Sequence, residues 1–398
     1  NTTGVLPQPQ VGGSLELLRS HFPCVPDESV PALLGFIVSC YLPEGSFPIL
    51  MLQGQQGCGK STLTDLLRSL IDPIIGSGGR SKLQEKPEDL ATIVGSNFLS
   101  SFDNASRISA ETADLLCQIS TGGIHECRKL YSQGETFSIE LHNPVIINSV
   151  ALTLERLDLA SRLILIELES MKDGTRTSER EVRRRFTHDL PQHLGYIFDA
   201  IAMALRDHSM TGLTQIPRLA DAALFATAAE PALGLLDGSI VTAWEAAQVG
   251  HVEGQASNDP VIYVLTNILI EKPRIFNGTL SDLIQKAQKT SFAENWKLPT
   301  DFPLKATALG SHLTRNKLLF EGLGWKAEKL PRQSNRRGWK IYWAEVPKPG
   351  MNAITVTRPT VPMKAIQSEE REALLTKLET ANNRHIDSSS NGIGGAAA

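Results

Sequence analysis

The sequence is short of cysteine, of long apolar runs and of net charge, and each shortage excludes a class of protein. Its five cysteines form no CxxC pair, so we predict neither a zinc knuckle nor a disulfide framework. The longest apolar stretch, residues 30–42, is shorter than the roughly 18–20 residues that cross a bilayer. No signal peptide is visible. These features favour a reducing, cytoplasmic setting.

The distribution of charge is uneven although its total is small. The formal net charge is −4, with 39 basic and 43 acidic residues, which excludes a uniformly basic nucleic-acid coat. Residues 305–348 nevertheless contain ten basic and three acidic residues, a local charge of +7. The rest of the chain therefore carries −11, and we expect any basic surface to be local.

Short apolar runs separated by helical patterns indicate a parallel sheet. Runs that are typical of buried strands lie at residues 47–52, 97–102, 144–147 and 163–168. Helices between such strands predict a three-layer α/β fold. Residues 175–259 are predicted to be mainly helical, with breaks near Pro191, Pro231 and Gly238.

A phosphate-binding loop follows the first of these strands. Residues 54–61 satisfy the pattern GxxxxGK[ST] between an apolar strand and a helix, which is the context that the motif requires. Glycines let the backbone wrap phosphates closely, and the helix points its positive amino end at them. Lys60 is predicted to bridge the β- and γ-phosphates of ATP, and Ser61 to ligate Mg²⁺. The predicted ATP-binding residues are Gly54, Gln55, Gln56, Gly57, Cys58, Gly59, Lys60, Ser61 and Thr62.

Polar residues at later strand ends complete the predicted catalytic site. Asp103 lies 43 positions after Lys60 and is predicted to hold Mg²⁺ directly or through water. Asn148 lies 45 positions after Asp103 and is predicted to contact the γ-phosphate or its water. Asn104 stands where many related ATPases carry a water-polarising glutamate. Because an amide takes no proton, either hydrolysis is slow or the base lies elsewhere, with Glu111 the nearest candidate.

The phosphate loop, Asp103 and Asn148 follow one another at steps of 43 and 45 residues. This order and spacing resemble those of superfamily III helicases of the AAA+ class. Residues 115–123 (LLCQISTGG), 128–131 (RKLY) and Phe137 are similar to the LTGGD…R.LY…F stretch of phage and plasmid primase–helicases. Residues 158–162 (DLASR) resemble the Asp…Arg-Arg element of those proteins, with a serine where a second arginine is frequent. The resemblance covers about residues 45–170.

The resemblance implies a ring, usually a hexamer, that binds ATP at subunit interfaces and moves along DNA in the cytoplasm of a bacterial or phage-infected host. Arg162 matches the arginine finger that acts on a neighbour's γ-phosphate, and Arg156 is the second choice. A β-hairpin with strands at 128–131 and 136–139 is implied to project into the ring channel. The DNA contacts implied there are Arg128, Lys129 and Tyr131.

The basic segment has the element order of a winged helix. Helical patterns at 260–271 and 281–288 precede a helix at 305–320 and a two-stranded ribbon, 325–330 and 339–346, around a basic turn. A solvated charged face is the alternative. The predicted DNA contacts are Arg315, Lys317, Arg332, Arg336 and Arg337. The predicted core residues are Leu309, Leu313, Phe320, Trp325, Trp339 and Trp343.

Two further groups are interpreted as structural. Residues 180–185 are basic but are interrupted by glutamate, so a solvated helix is favoured over intersubunit pairing or nucleotide sensing. The nine histidines show no metal-ligand spacing, and His188 and His193 are left as structural residues.

The sequence therefore predicts an α/β protein, with a three-layer AAA+ P-loop NTPase core, helical flanking regions and a carboxy-terminal winged-helix domain. The predicted boundaries are 1–44 for a helical segment, 45–174 for the ATPase core, 175–259 for a helical connector, 260–346 for the winged helix and 347–398 for a linker and tail. Because the chain begins at Asn1 and such proteins often carry a primase or polymerase domain, we expect the motor half of a longer protein.

Two functional hypotheses remain at this point. The first is an ATP-dependent, ring-forming DNA helicase or translocase that tracks single-stranded DNA in its channel, with the winged helix on duplex DNA. The second is an AAA+ switch, a loader or regulator that binds ATP and DNA without unwinding, which Asn104 favours because slow hydrolysis suits a switch. A small-molecule P-loop kinase is disfavoured because it would leave the basic module without a role.

Overall fold

The structure is a computed structural model that forms two compact units, residues Asn1–Ala247 with Ala353–Ala398, and residues Gln248–Asn352. The residues that it describes are 4–75, 79–128, 136–150, 153–154, 157–170, 177–257, 259–270, 273–294, 296–322, 324–333, 336–344 and 355–358. Every helix in these ranges is too short or too polar to span a lipid bilayer.

The first unit is built from helices and mainly parallel strands. Its helices are α1 (Leu15–Arg19), α2 (Val30–Ser39), α3 (Lys60–Ile71), α4 (Pro87–Gly95), α5 (Ala110–Thr121), α6 (Leu157–Ala160), α7 (Glu179–Asp207), α8 (Ala220–Ala229) and the first half of α9 (Ser239–Ser257), which crosses into the second unit at Gln248. Its strands are β1 (Ile49–Gln53), β2 (Ser81–Lys82), β3 (Ser100–Asp103), β4 (Arg107–Ile108), β5 (Gly123–Arg128), β6 (Thr136–Leu141), β7 (Val145–Ser149), β8 (Thr153–Leu154), β9 (Leu163–Glu167) and β10 (Gly212–Leu213).

Five strands form one sheet in the order β2-β3-β7-β1-β9, and every neighbouring pair in it is parallel. The strand that ends at Ser149 therefore lies between the strand before the phosphate loop and the strand that ends at Asp103. Ile49 is opposite Val145 on one side and Leu163 on the other. Because the strands are parallel, the residues that follow them meet at one edge of the sheet, where such sheets bind ligands.

Apolar side chains on the two faces of this sheet form two separate cores. Along β1, Leu50 and Leu52 belong to a cluster with residues of α2, α3, α7 and α8. Ile49 and Met51 belong to a second cluster with residues of α4 and α5. This division follows from the alternation of side chains along a strand. The predicted three-layer α/β architecture is confirmed.

The predicted strands of this sheet are all present, with shifted bounds. Pro48 and Pro144 immediately precede β1 and β7, because proline has no N–H to donate to a neighbouring strand. The predicted helix break at Pro191 is wrong, since α7 runs through that proline. Leu190 and Leu194 on either side of it are buried, so packing outweighs the roughly 3 kcal/mol that an interior proline costs a helix.

Among its described residues, the second unit combines the second half of α9 and four further helices with a three-stranded antiparallel sheet. Its elements are α10 (Pro260–Ile268), β11 (Ile275–Gly278), α11 (Leu280–Ala293), α12 (Ala306–Arg315), α13 (Lys317–Gly322), β12 (Trp325–Gln333) and β13 (Arg336–Trp343). The strand order is β11-β13-β12. The sequence prediction missed β11, because its four residues, IFNG, are too short and too polar for a strand pattern.

Two further predictions for this unit need correction. The predicted helix over 305–320 is two helices separated at Asn316, whose side chain lies 3.1 Å from the His312 ring. The basic turn is much shorter than predicted, because Gln333 pairs with Arg336 across the two strands. Pro331 falls at a register shift in β12, which is an edge strand and tolerates the missing donor.

The described residues near the carboxyl terminus belong to the first unit. Strand β14 (Val356–Thr357), within the predicted linker, pairs antiparallel with β10. The next residue, Arg358, forms an ion pair of 3.1 Å with the fully buried Glu230. Burial raises the pKa of Glu230, and hydrogen bonds from Ile240 and Gly238 and the charge of Arg358 oppose that rise.

Candidate functional site

The phosphate loop has a backbone that requires its glycines. Gly57 and Gly59 have φ angles of 83° and 94°, in the left-handed region that favours glycine. A Cβ atom at Gly54 would lie 2.8 Å from the Sγ of Cys58, closer than side chains pack. Lys60 then begins α3. The strand–loop–helix arrangement predicted from the motif is confirmed.

Lys60 carries a buried charge whose partners are neutral. Its side chain is only 8% exposed, and its ammonium donates hydrogen bonds to the carbonyls of Gly54 and Gln55, at 2.7 and 2.8 Å. No carboxylate of the described residues lies within ion-pair distance of it. Removing an ammonium from water costs several kcal/mol unless an opposite charge compensates it. The loop therefore suits an anion, and a phosphate group is the anion that such loops bind.

The predicted polar residues meet in one hydrogen-bonded cluster at the carboxyl edge of the sheet. The Ser61 hydroxyl donates to the Asp103 carboxylate at 3.1 Å, and the Asn148 amide lies 3.4 Å from the other carboxylate oxygen. The Thr64 hydroxyl, one turn after Lys60, lies 2.9 Å from the Asn148 side-chain oxygen. Asn148 is fully buried. The sequence prediction did not include Thr64, whose hydroxyl holds Asn148 in place.

The spacing of Ser61 and Asp103 fits a magnesium ion. Adjacent ligands of an octahedral ion with bond lengths of about 2.1 Å lie about 3.0 Å apart. The oxygens of Ser61 and Asp103 are 3.1 Å apart and would need little rearrangement to serve as such a pair. A hydroxyl and a carboxylate are both oxygen ligands of the kind that Mg²⁺ prefers.

Asn104 has a backbone conformation that explains the absence of a glutamate. Its φ of 56° makes it the one described residue other than glycine in the left-handed region. Asparagine tolerates this region better than most residues. Its N–H donates to the Asp103 side chain at 3.1 Å, and the next N–H, of Ala105, donates to the Asn148 carbonyl at 2.9 Å. The left-handed turn thus joins the ends of β3 and β7.

Glu111, the alternative base, lies in the first turn of α5 and is exposed. In the described part of the chain, no hydrogen bond joins it to the Asp103 cluster. Its carboxylate lies at the positive amino end of a helix, which is a stabilising position for an acidic residue. Its role as a base stays a prediction.

Two arginines that the sequence prediction did not place in the site converge beside it. Arg80 pairs with Asp65 of α3 at 2.7 Å, lies 3.4 Å from Asp103 and donates to the Ser61 carbonyl at 2.6 Å. Arg183 of α7 also pairs with Asp65. Only the basic composition of 180–185 pointed to Arg183. Arg80 gave no sequence signal, because a lone arginine after glycines fits many loops.

A buried ion pair holds the far end of α3 against β3. Arg68 and Asp72 are 3% and 5% exposed, and their side chains are 3.3 Å apart. Arg68 also donates to the Leu99 carbonyl at 2.5 Å, while Asp72 accepts from the Leu99 N–H at 3.1 Å. Burial lowers the pKa of Arg68 and raises that of Asp72, and the opposite charges counteract both shifts. The pair fixes the phosphate-loop helix relative to the strand of Asp103.

Arg162 lies at the opposite edge of the sheet from the phosphate loop. It directly precedes β9, and its carbonyl accepts from the N–H of Ile49 at the start of β1. It is 7% exposed and forms an ion pair of 3.1 Å with Asp158. Arg218, which is about half exposed, pairs with the same carboxylate at 2.8 Å. Arg162 therefore does not join the cluster of its own chain. Arg156 lies outside the described residues.

The hairpin before Asn148 is present, but its first strand differs from the prediction. Strands β5 and β6 pair antiparallel, with Gly123 opposite Leu141 and Arg128 opposite Thr136. The first strand therefore begins five residues before the predicted start, at Gly123. Arg128 is its last described residue, and Lys129 and Tyr131 lie outside the described residues.

The predicted DNA contacts of the second unit lie on described backbone. Arg315 ends α12 and Lys317 begins α13, and both are exposed, with Lys317 3.6 Å from Glu321. Arg332 and Arg337 are opposite each other in β12 and β13, and Arg336 begins β13.

The predicted core of the second unit is largely confirmed. Its buried members are Leu309, Leu313, Phe320, Trp325 and Trp339, whereas Trp343 is half-buried beneath the Arg274 guanidinium.

Comparisons with known proteins extend this description. The family model of the actinomycete integrative conjugative element replication protein matches residues 17–247, more than half of the chain. The match confirms the predicted resemblance to replication proteins of mobile elements. Among solved structures, the chain is similar to the apo A form of the NrS-1 C-terminal region, with 11% identity, 85% of this chain and 78% of that chain covered, and a TM-score of 0.40. It is also similar to JCV helicase, with 15% identity, 61% and 66% covered, and a TM-score of 0.28. Curated proteins give no match.

Proposed function

This chain belongs to the family of actinomycete integrative conjugative element replication proteins, and we propose that it is the ATP-dependent motor of a DNA helicase or translocase. The observation that carries the proposal is the buried Lys60 ammonium, whose partners are the neutral carbonyls of Gly54 and Gln55 and the Cys58 sulfur, beside the Ser61–Asp103 pair. A buried cation without a counter-ion, next to two oxygen ligands, fits a nucleoside triphosphate with its magnesium ion. Its proposed setting is the cytoplasm of the bacterial host.

The roles of the cluster follow from its chemistry. Lys60 neutralises charge on the terminal phosphates, and the backbone N–H groups of residues 54–61 surround them. Ser61 and Asp103 hold Mg²⁺, which supplies electrostatic stabilisation of the phosphoryl group. Asn148, fixed by Thr64, orients the attacking water. Arg80, which lies 3.4 Å from Asp103, would share that carboxylate with the ion and add positive charge beside the phosphates.

The proposal includes a ring in which each site is completed by a neighbour. Transition-state charge on the phosphoryl group requires a rigidly held cation, and Arg162 is held by Asp158. Because it lies at the opposite edge of the sheet, it serves an adjacent subunit and not its own. Arg128, the last residue of β5, and Lys129 and Tyr131, which follow it in the sequence, are proposed to contact single-stranded DNA in the channel.

The second unit is proposed to be a winged helix that binds duplex DNA. Its element order, α10-β11-α11-α12 with α13, then β12 and β13, has the helices followed by a two-stranded ribbon. This order and the local charge of +7 support the assignment. Arg315 at the end of α12 and Lys317 at the start of α13 are assigned to bases, and the ribbon with Arg332, Arg336 and Arg337 to the backbone or minor groove.

The motor proposal is tested by ATP hydrolysis and strand displacement. We expect DNA-stimulated hydrolysis by the full chain, and we expect Lys60→Ala to abolish both hydrolysis and displacement. Lys82→Ala, which changes an exposed lysine on β2, is the matched control and should retain both activities. An unaltered rate of hydrolysis in Lys60→Ala would refute the proposal.

The second candidate, a switch that binds ATP and DNA without unwinding, is favoured by one observation. Asn104 cannot accept a proton at the position next to Asp103, and no carboxylate of the described residues is bonded to the cluster in its place. The same assays separate the two candidates. If the chain binds ATP and DNA but hydrolyses ATP slowly and displaces no strand, the helicase is excluded and the switch is supported.

The winged-helix assignment is tested by the salt dependence of duplex binding. Arg332→Gln with Arg336→Gln and Arg337→Gln should reduce the slope of log affinity against log salt by about 0.9 for each phosphate that the variant no longer neutralises. Arg184→Gln with Arg185→Gln is the control, because these exposed arginines of α7 pair only with Glu181 in the described structure. Unchanged affinity and slope in the triple variant would contradict the assignment.

A further inference from the structure

A cluster of three potential metal ligands lies away from the phosphate loop. His21, in the segment after α1, contacts Asp189 of α7 with 3.0 Å between Nε2 and Oδ2. His193 follows Asp189 by four residues and lies on the same face of that helix. One ligand atom from each of the three residues lies within 4.8 Å of the others. The nine histidines gave no ligand spacing in the sequence, because His21 is 168 positions from Asp189.

His193 is the member of the cluster that hydrogen bonding does not explain. It is fully buried, and neither of its ring nitrogens has a hydrogen-bond partner within the described chain. Buried polar atoms nearly always have a partner. Its ring lies 5.1 Å from Phe186 and 5.0 Å from His21, and aromatic contacts of this kind leave the ring nitrogens unsatisfied. An imidazole held in this way next to a carboxylate and a second imidazole fits a metal ligand.

The protonation states of the cluster suit metal binding. Burial lowers the pKa of His193 to about 4, so its ring is neutral and has a free electron pair at neutral pH. A hydrogen bond with His188 is the main cause that lowers the pKa of Asp189, which is therefore ionised. His188 contacts Oδ1 of Asp189 at 2.7 Å and leaves Oδ2 facing His21. Such an outer hydrogen bond orients a ligating carboxylate.

We propose that His21, Asp189 and His193 bind a divalent transition-metal ion of the zinc class, in a site separate from the magnesium site at Asp103. Two imidazoles and one carboxylate are donors that suit Zn²⁺ and leave a fourth position for water. Tetrahedral ligands at about 2.0–2.1 Å lie about 3.3 Å from one another, so the separations of up to 4.8 Å need to shorten by at most about 1.5 Å.

The site would connect the amino-terminal segment to α7. His21 is the ligand from that segment, and the Gln10 N–H donates to the Pro191 carbonyl of α7 at 2.8 Å, between the two helix ligands. The same helix carries Arg183, which pairs with Asp65 on the phosphate-loop helix. A metal ion bound here would therefore fix the segment against the helix that braces the nucleotide site.

The test uses the metal-free full chain titrated with Co²⁺ and then Zn²⁺. We expect one Co²⁺ per chain with the visible absorption of a four-coordinate ion, its displacement by Zn²⁺, and a higher Tm in Zn²⁺. His21→Gln and Asp189→Asn should each weaken Co²⁺ binding by more than the roughly 10–100-fold that outer-shell changes cause. Both side chains are partly exposed, so these variants avoid the core position of His193.

Two controls separate this site from others. His208→Gln, which changes a histidine that follows the end of the same helix, should bind Co²⁺ as the unaltered chain does. Asp103→Asn, which removes the magnesium ligand, should also keep the absorption. Absence of Co²⁺ binding by the unaltered chain, or binding of equal affinity in His21→Gln and Asp189→Asn, would overturn the proposal.

Discussion

The two edges of the parallel sheet hold charged side chains in different ways. At the carboxyl edge, Arg80 is paired with Asp65 and Asp103, but the buried Lys60 ammonium has only neutral partners, two carbonyls and the Cys58 sulfur. At the amino edge, Arg68 is paired with Asp72 and Arg162 with Asp158. A buried charge that is paired with a counter-ion of the same chain stabilises the fold. A buried charge without such a counter-ion is suited to binding a ligand of opposite charge. The proposed nucleotide site is thus at the edge where one buried cation, Lys60, has no counter-ion among the described residues.

The largest expected effect concerns Arg162, which is held structurally but is proposed to act on a neighbouring subunit. We expect Arg162→Ala to lower kcat for ATP by about 10³-fold or more, with the Kd for ATP unchanged. Removing this nearly buried ion-pair partner should lower stability only modestly, because Asp158 keeps Arg218 as a partner. Arg218→Ala is the matched variant at the same carboxylate.

A subunit-mixing experiment decides whether Arg162 acts between subunits. Arg162→Ala subunits with an intact loop, mixed with Lys60→Ala subunits with an intact arginine, should recover part of the hydrolysis. A large fall in Tm with kcat preserved would instead make Arg162 a structural residue like Arg68. Loss of kcat in Arg218→Ala alone would assign the finger to Arg218.

The second prediction tests whether the amino edge is structural. Arg68→Met leaves Asp72 buried without its counter-ion and should lower the free energy of unfolding by about 3–5 kcal/mol. Denaturant unfolding measures this change. Arg68→Met with Asp72→Asn should recover part of the loss, because the amide is neutral and its side-chain oxygen still accepts from the Leu99 N–H. A double variant no more stable than the single one would contradict the pairing argument.

The third prediction concerns His193, a buried polar group that has neither a counter-ion nor a hydrogen bond in the described chain. In the unfolded chain its pKa is near the ordinary 6.5, and burial lowers it to about 4 in the folded protein. The unfolded state therefore binds more protons in this window, and stability falls as the pH drops from 6.5 toward 4. We expect a loss of about 2 kcal/mol between pH 7 and pH 5 in EDTA.

His193→Gln should reduce that pH dependence, and His208→Gln should retain it. Asp189 contributes only at lower pH, because its own pKa lies below its ordinary value. Denaturant unfolding at each pH supplies the free energies. An equal pH slope in His193→Gln would assign the effect to other groups.

The smallest expected effect concerns Asn104, where backbone conformation and catalysis compete. Asn104→Glu places a residue less suited to the left-handed region at a φ of 56° and should lower stability by about 1 kcal/mol. Asn104→Gly, which relieves the same constraint, should change stability by less than that. Equal stability of the two variants would show that the conformation does not select asparagine here.

Several parts of the site could be predicted from sequence because they are local. The loop of residues 54–61 is contiguous, and its glycines and Lys60 occupy the positions that the motif specifies. Asp103 and Asn148 were predicted because each follows an apolar run, and parallel strands bring their ends together. Residues 43 and 45 positions apart in the sequence therefore became neighbours at the carboxyl edge of the sheet.

Other parts of the site depend on contacts between distant segments and gave no sequence signal. Arg80 reaches Asp103 through a loop of no recognisable pattern. His21 meets Asp189 and His193 only because the amino-terminal segment packs along α7. The predicted helix break at Pro191 was wrong for the same reason, because tertiary packing keeps α7 continuous through that proline.

Sequence alone was sufficient to predict the phosphate loop, four of the five strands of the parallel sheet, and the segregation of positive charge into residues 305–348. These are properties of adjacent residues, and local backbone preferences and alternation encode them. Tertiary structure alone decided which charges are paired and which are left without a partner. That difference arises because burial removes water from every polar group, and only the folded chain determines whether a carboxylate, a carbonyl or a ligand takes its place.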